Sequence, residues 1–359
     1  MTLVSGDGTQ IQAIVYTPED VTGSHPGVVV GHGFCGNKQY MHPLSIELVK
    51  RGFVVLSIDL RGHGSSEGDL GTSRERTSGL ALDMKACVEY LEDLGFVDRI
   101  GLVGHSMGGG TAMATAEQYP YKTNATVAIG ALSTSIDFEN VSNLLVAYGL
   151  YEQDITHEEA LALLEAYTGL KSGVELNTQY GDFDNGNATR SVVGPYSEHL
   201  AEVFYDVIPY ETMQWFERAF NGVQPDDIQL TAHYLMTSLI VSYIGCLMLL
   251  FVIISCLGSS IFRVGQSRLG ARMTDGRSPK LPILGYPIVM LIALVVTPPV
   301  SEVFDDVFPM TMLNSVFAML VVGPAIGVTV VSLLLSRSRG RWEVRRTWAM
   351  LGEMSSTSL

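Results

Sequence analysis

The sequence IGLVGHSMG at residues 100–108 is followed directly by GGTAMA at residues 109–114. An apolar strand leads here into a sharp turn with Ser106 at its apex, and a helix of small residues follows. The glycines on either side of the turn let the strand and the helix approach closely, while the backbone at Ser106 is strained. The pattern G-x-S-x-G between a strand and a helix is typical of a turn that exposes a nucleophilic serine. Ser106 is therefore the candidate nucleophile.

Two further segments upstream of this turn are typical of buried parallel strands. Residues 26–30 read PGVVV and end in the loop GHGFCG at 31–36, and residues 53–59 form a second apolar run. Together with the turn around Ser106, these segments resemble the α/β-hydrolase family, in its esterase, acylaminopeptidase and dienelactone-hydrolase-like branch. The resemblance covers residues 1–221 and implies a mostly parallel sheet flanked by helices.

The resemblance also implies a base and two oxyanion donors. In this family the chain order is serine, acid, histidine, and the histidines after Ser106 are His157, His199 and His233. His199 follows an apolar strand at 188–193 and precedes an amphipathic segment, which is where the family keeps its base. His199 is therefore the candidate general base.

The two oxyanion donors come from backbone N–H groups. The family takes one from the residue after the His-Gly pair of the first loop, which is Phe34 here, and the other from the residue after the nucleophile, which is Met107. Both would point at the oxygen of a carbonyl under attack by Ser106.

The acid is where this sequence departs from the family pattern. Asp182 follows Gly181 in the stretch that corresponds to the usual acid turn, but it lies only 17 residues before His199. Asp184, beside the turn sequence Asn-Gly, is a second candidate, and Asp137, just past the sixth strand, is a third. The acid must reach the second ring nitrogen of the base, so Asp182 is the first candidate and the other two stay open.

Charge divides the chain into two parts. Residues 1–230 hold 31 acidic and 12 basic side chains, a net charge of −19, whereas residues 231–359 hold 6 and 10, a net charge of +4, within a total of −15. An acidic domain of this kind is a poor partner for nucleic acid or anionic surfaces, and nucleic acid is excluded as a partner on that ground. The cysteines show no metal-ligand spacing, and the sequence implies neither a metal nor a cofactor.

The second part contains three uncharged apolar runs. Each is long enough to cross the hydrocarbon core of a bilayer as a helix, and they lie at 234–257, 281–300 and 312–335. The sequence thus predicts a hydrolase domain at 1–221, in which residues 137–172 fit either a lid over the pocket or a layer packed against the sheet. A linker at 222–232 and a membrane domain at 233–335 with three spans follow. A basic tail follows at 336–359.

The loops between these runs predict the orientation of the protein. The segments after the first and third runs carry Arg and Lys, whereas the loop between the second and third is acidic. The excess of positive charge in cytoplasmic loops places the C-terminus inside and the hydrolase domain on the outer face of the cell membrane. Export of the domain would need an anchor or signal upstream of Met1, which we expect as a missing segment. The alternative is a cytoplasmic domain with inverted helices.

The sequence therefore predicts a membrane-anchored serine hydrolase that cleaves an ester or related acyl bond through a Ser-His-Asp triad and an acyl-enzyme. Its partners would be the lipid bilayer and a small-molecule or lipid-like acyl substrate, or a peptide. Two other functions stay open: a membrane-anchored serine peptidase with the same triad, and a degenerate hydrolase domain used for binding or sensing. The unusual acid region motivates the last of these.

Overall fold

The computed structural model describes residues 1–71, 73–133, 135–204, 207–225 and 227–231, together with positions 234, 237–238, 241–242, 245 and 249. Side chains at 73–75 are not described. Two of the predicted membrane spans, 281–300 and 312–335, and the basic tail at 336–359 lie outside the described residues, as does most of the span 234–257. Among the residues that are described, no helix combines the length and the apolar composition needed to cross a bilayer.

Eight strands form one sheet in the order β1-β2-β4-β3-β5-β6-β7-β8. Their bounds are β1 Thr2–Val4, β2 Gln10–Tyr16, β3 His25–Gly31, β4 Val54–Ile58, β5 Val97–His105, β6 Ala125–Ile129, β7 Leu144–Gly149 and β8 Thr189–Gly194. The pairs β1–β2 and β2–β4 are antiparallel, and all other neighbours are parallel. The predicted mostly parallel sheet is thus confirmed.

Five α-helices cover the two faces of this sheet. They are α1 His42–Val49, α2 Ser73–Asp93, α3 Met107–Gln118, α4 His157–Thr168 and α5 Val207–Asn221. Helices α2, α3 and α4 contribute to the core on one face, and α1 and α5 contribute to the core on the other. Strands covered on both faces need apolar side chains at every position, which explains the fully buried runs of β4 and β7.

The stretch for which a lid was one of two expected roles belongs to the sheet instead. Residues 137–172 contain the buried strand β7 and the helix α4, which packs against the core and carries the chain from β7 to β8. Of the two roles that the sequence left open for this stretch, packing against the sheet is the one observed. The apolar run LLVAYG at 144–149 is the seventh strand, β7.

Part of the segment predicted as a linker also packs on the domain. Ile228 and Leu230 are buried in the same core as α5. The backbone N–H of Thr231 donates to the buried carboxylate of Glu47 on α1 at 2.6 Å. The folded domain therefore extends beyond residue 221, at least as far as residue 231.

Candidate active site

The turn between β5 and α3 holds Ser106 in a backbone conformation that side-chain-bearing residues rarely adopt. Its φ is 53° and its ψ is −118°. Gly104 and Gly108 make this turn possible because a Cβ on Gly104 would lie 2.2 Å from the carbonyl carbon of Gly108. The N–H of Ser106 donates to the carbonyl of Ile129 on β6 at 2.7 Å, which fixes the turn to the sheet. The strained, tightly packed turn predicted from the sequence is present.

His199 lies directly against this serine. It begins a short 3₁₀ helix, His199–Ala201, that follows β8. Its Nε2 is 2.9 Å from the Oγ of Ser106, and its backbone carbonyl accepts a hydrogen bond from the ring of His105 at 2.7 Å. The structure therefore brings together the two residues that the sequence predicted as nucleophile and base.

The second ring nitrogen of His199 meets Glu152, which the sequence interpretation missed. The Nδ1 of His199 and an Oε2 of Glu152 are 2.5 Å apart, and the carboxylate is 1% exposed. Its other oxygen accepts from the backbone N–H groups of Gln153 at 2.7 Å and Asp154 at 2.8 Å. Although burial acts to raise the pKa of Glu152, the Asp154 N–H and the His199 ring hold it below its usual value.

The three aspartates that were predicted as acids lie elsewhere, and the choice of Asp182 is corrected. Asp182, Asp184 and Asp137 are all exposed. The carboxylate of Asp182 accepts from the N–H of Asp184 at 2.8 Å within a turn that precedes β8. That turn is at the amino end of β8, whereas His199 follows its carboxyl end. Asp137 caps a short 3₁₀ helix by accepting from the N–H of Glu139 at 3.2 Å.

Glu152 follows β7 as Ser106 follows β5 and His199 follows β8. Because the carboxyl ends of parallel strands meet at one edge of the sheet, these side chains converge. The loops of β7 and β8 are also joined through their backbones, since the Tyr151 N–H donates to the Ser197 carbonyl at 3.1 Å. The signal for the acid was available in the sequence: an apolar run at 144–149 followed closely by a carboxylate.

The loop that carries Phe34 passes next to Ser106. A Cβ on Gly33 would lie 3.0 Å from the Nδ1 of His105 and 3.1 Å from the Cβ of Ser106, so any larger residue would push these neighbours away by a few tenths of an ångström. Met107 is the first residue of α3, and its N–H has no acceptor within the helix because the first turn lacks preceding carbonyls. The two predicted oxyanion donors therefore belong to segments on either side of the candidate nucleophile.

Buried polar groups fix this loop. The N–H of Lys38 donates to Asp59 at 2.7 Å, the ammonium of Lys38 pairs with the same carboxylate, and the N–H of Ser65 donates to it at 2.9 Å. The Nε2 of His32 accepts from the N–H of Leu60 at 3.0 Å. Burial lowers the pKa of His32 to about 4, so its ring is neutral near pH 7 and can act as this acceptor.

One group of side chains in the described residues has the composition of a metal site. His105, His199 and Glu202 offer ligand atoms that all lie within 4.8 Å of one another. The Nε2 of His105 carries the hydrogen donated to the His199 carbonyl, however, and both ring nitrogens of His199 are engaged. Hydrogen bonding within the site therefore accounts for this cluster without a metal.

Comparison with known proteins finds similarity over part of the chain. Residues 26–153 match the family model described as alpha/beta hydrolase fold. A monoacylglycerol lipase of Mycolicibacterium smegmatis is 33% identical over 152 residues, 39% of this chain and 48% of that protein. An sn-1-specific diacylglycerol lipase of Mus musculus is 41% identical over 96 residues, 26% of this chain and 29% of that protein.

Other similarities are partial or distant. An uncharacterized protein of Mycobacterium bovis is 30% identical over 124 residues, which are 34% of this chain and 34% of that protein. This chain thus spans about a third of the length of such curated relatives. The structure of Est1E from Butyrivibrio proteoclasticus with ferulic acid has a TM-score of 0.49 at 16% identity, covering 62% of this chain and 99% of that one. Residues 26–153 therefore match the alpha/beta hydrolase fold, and the described part of the chain carries an eight-stranded, mostly parallel sheet of that kind.

Proposed function

We propose that this domain is a serine hydrolase that cleaves a carboxylic ester through an acyl-enzyme intermediate. The observation that carries the proposal is the unbroken line of contacts from Ser106 through His199 to Glu152, at 2.9 and 2.5 Å. A serine hydroxyl is a weak nucleophile unless a neighbouring base takes its proton, and that base must be held by a third group. Glu152 replaces Asp182 as the third group in this proposal.

The reaction follows from the roles of these atoms. The Oγ of Ser106 attacks the ester carbonyl carbon while the Nε2 of His199 takes its proton. The N–H groups of Phe34 and Met107 stabilise the oxyanion that forms. When the tetrahedral intermediate collapses, the bond to the leaving alcohol breaks and His199 gives that alcohol its proton. Water then attacks the acyl-enzyme by the same route and restores the Ser106 hydroxyl.

The charge distribution supports Glu152 in its role. Its carboxylate is buried, held ionised by two backbone N–H groups and in contact with the Nδ1 of His199. A fixed negative charge at this position stabilises the imidazolium that forms during the attack and keeps the Nδ1 protonated. The Nε2 is then the nitrogen that is free to accept the proton of Ser106.

The surroundings of the site favour an apolar acyl substrate. Five exposed large apolar side chains lie on the loops that carry the oxyanion donor, the acid and the base; we call them the apolar rim: Phe34, Leu150, Tyr151, Tyr196 and Leu200. Exposed apolar groups concentrated around a polar site are typical of surfaces that bind apolar ligands. Two similar proteins are lipases of acylglycerols, which supports a lipid-like ester as the substrate class.

We further propose that the chain is anchored in a membrane by the runs at 234–257, 281–300 and 312–335. Their length and lack of charge support this. The excess of basic residues after the first and third runs supports a domain on the outer face and a cytoplasmic C-terminus. Anchoring of this kind would keep the site near lipid-like esters.

The experiment that tests the proposed chemistry is labelling of the full chain in isolated membranes with a fluorophosphonate, which phosphonylates activated serines. We expect the wild type to be labelled, and both Ser106→Ala and His199→Ala to lose labelling. General-base catalysis contributes roughly 10²–10⁴-fold, so the loss in His199→Ala should be nearly complete.

The control is Ser24→Ala, since Ser24 is exposed and precedes the amino end of β3, at the sheet edge opposite Ser106. A folded wild type that resists labelling, or labelling that survives in Ser106→Ala, would contradict the proposal and favour a domain used for binding. Hydrolysis of acyl esters, tested beside aminoacyl amides, then separates an esterase from a peptidase.

A further inference from the structure

A second carboxyl lies behind the candidate base and has no role in the chemistry described above. Glu202 is three residues after His199 and is fully buried. One of its oxygens accepts from the N–H of Gly149 at 2.6 Å, and Gly149 ends the strand that leads to Glu152. Glu202 therefore joins the loop of the base to the loop of the acid.

A glycine, Gly130, provides the space that the Glu202 carboxyl occupies. A Cβ on Gly130, which follows β6, would lie 2.1 Å from the second oxygen of Glu202 and 3.2 Å from the Cε1 of His199. That second oxygen is 3.4 Å from the Nε2 of His105 and accepts no hydrogen bond in the described part of the chain. A buried carboxyl oxygen without a partner is costly if it is charged.

Several ionisable groups face Glu202. Burial is the main cause that raises its pKa to about 9, while the Gly149 N–H opposes this rise. The charge of Glu152, a hydrogen bond between the two carboxyl groups and the charge of Glu198 raise it further. His105, on β5, gives no compensating positive charge, because burial lowers its pKa to about 4. Tyr40 is also near, and its phenol is neutral because burial raises its pKa. The remaining neighbour is His199 itself.

We propose that Glu202 is a positioning residue that stays protonated at neutral pH and donates its hydrogen to the Glu152 carboxylate. This proposal rests on the proposed triad. Glu202 would hold the Glu152 carboxylate in contact with His199 and tie it to the end of β7. A neutral acid can do this, whereas two adjacent carboxylates would repel each other.

The protonation state of Glu202 should make the activation of Ser106 depend on pH. When pH rises through about 9, Glu202 loses its proton. It then donates no hydrogen bond to Glu152 and places a second negative charge beside that carboxylate. The acid is then displaced from the Nδ1 of His199. Activation of Ser106 should therefore fall at alkaline pH, well below the range where arginine or the backbone titrates.

The experiment measures the rate of fluorophosphonate labelling of Ser106 in the full chain between pH 6 and 10.5. The variants are Glu202→Gln, Glu202→Ala and, as the matched control, Glu158→Gln on an exposed carboxyl of α4. Glutamine keeps the acceptor for Gly149 and an N–H₂ donor for Glu152 at every pH. We expect Glu202→Gln to react within about threefold of the wild type at pH 7.5, because a neutral donor replaces a neutral donor.

The pH profile distinguishes positioning from a merely structural role. The wild type and Glu158→Gln should lose reactivity around pH 9, whereas Glu202→Gln should keep it. Glu202→Ala leaves the buried Gly149 N–H without an acceptor and should react about tenfold more slowly at pH 7.5. An alkaline loss that is the same in Glu202→Gln and wild type overturns the proposal, as does a Glu202→Gln variant as slow as Glu202→Ala.

A second measurement does not depend on catalysis. If folding holds Glu202 protonated, the folded state binds one more proton than the unfolded state between about pH 4.5 and 9. Stability of the wild type should therefore fall across that window relative to Glu202→Gln, as followed by thermal unfolding. If the wild type is not labelled at any pH, the proposed triad is refuted. If the melting temperatures of wild type and Glu202→Gln change with pH in the same way, the proposal that Glu202 is protonated is refuted.

Discussion

Glu152 has the contacts that the sequence interpretation had assigned to an aspartate. Ser106 and His199 could be identified from the sequence because each follows a recognisable pattern: the G-x-S-x-G turn, and a strand followed by a histidine and a helix. The acid has no such local pattern, since any carboxylate near the end of the right strand can serve. Glu152 could be identified only with the strand in front of it.

At this scale we predict that Glu152→Gln lowers kcat by about 10²–10⁴-fold with little change in KM. Glutamine keeps the size of the side chain and an acceptor for the N–H groups of Gln153 and Asp154, so the turn should persist. It lacks the negative charge that stabilises the imidazolium of His199. Steady-state hydrolysis of a soluble acyl ester checks this.

The matched variant is Asp182→Asn, which makes the same change from carboxylate to amide on an exposed residue. Its kcat should stay within about twofold of the wild type, as is usual for a substitution remote from the reacting atoms. Comparable losses in the two variants, or full activity in Glu152→Gln, would remove Glu152 from the triad.

Among the elements, the strands around Ser106 were predictable and β7 was not. The strands β3, β4 and β5 are apolar runs that end in glycine or aspartate loops with recognisable sequences. The run of β7 is short, and the helical pattern of α4 that follows it made the whole stretch 137–172 resemble an insertion over the site. Short apolar runs fit a buried strand and a buried helix segment equally well, and only the sheet order resolves which one is present.

The close packing of β5 against α3 gives a prediction for this element pair. Gly104→Ala should destabilise the domain by roughly 3 kcal/mol or more, since its Cβ would lie 2.2 Å from the backbone of Gly108 and neither segment can move without disturbing the sheet. Thermal unfolding measures this, and labelling of Ser106 should be lost in parallel.

Gly110 offers the control in the same helix. A Cβ there meets nothing within 4 Å, so Gly110→Ala should stabilise the domain by about 0.5–1 kcal/mol through the helix preference of alanine. Equal effects of the two substitutions would show that the close approach at Gly104 does not govern the stability of the turn.

For the whole molecule, the sequence predicted the α/β-hydrolase fold but placed the end of the domain too early. The buried Ile228 and Leu230 and the contact of Thr231 with Glu47 extend it past α5. The amphipathic pattern of α5 ends near residue 220, and the few apolar residues after it form no periodic pattern that would indicate burial.

The topology of the chain in the membrane is the prediction at this scale. An impermeant fluorophosphonate should label Ser106 on intact cells, and an epitope placed after residue 359 should become accessible only after permeabilisation. The reverse pattern would indicate a cytoplasmic domain with inverted helices. Recovery of the chain in the supernatant after carbonate extraction would contradict anchoring altogether.

Buried contacts of Asp59, Lys38 and His32 hold the loop that carries Phe34 in place, and this affects how fast the proposed reaction begins. A loop held by buried hydrogen bonds loses its conformational freedom when the protein folds and not when a ligand arrives. In the mechanism proposed above, the oxyanion donors are thus preorganised, and none of the binding energy of an ester is diverted to arranging them. We then expect hydrolysis to start without an induction period before the acyl group is transferred.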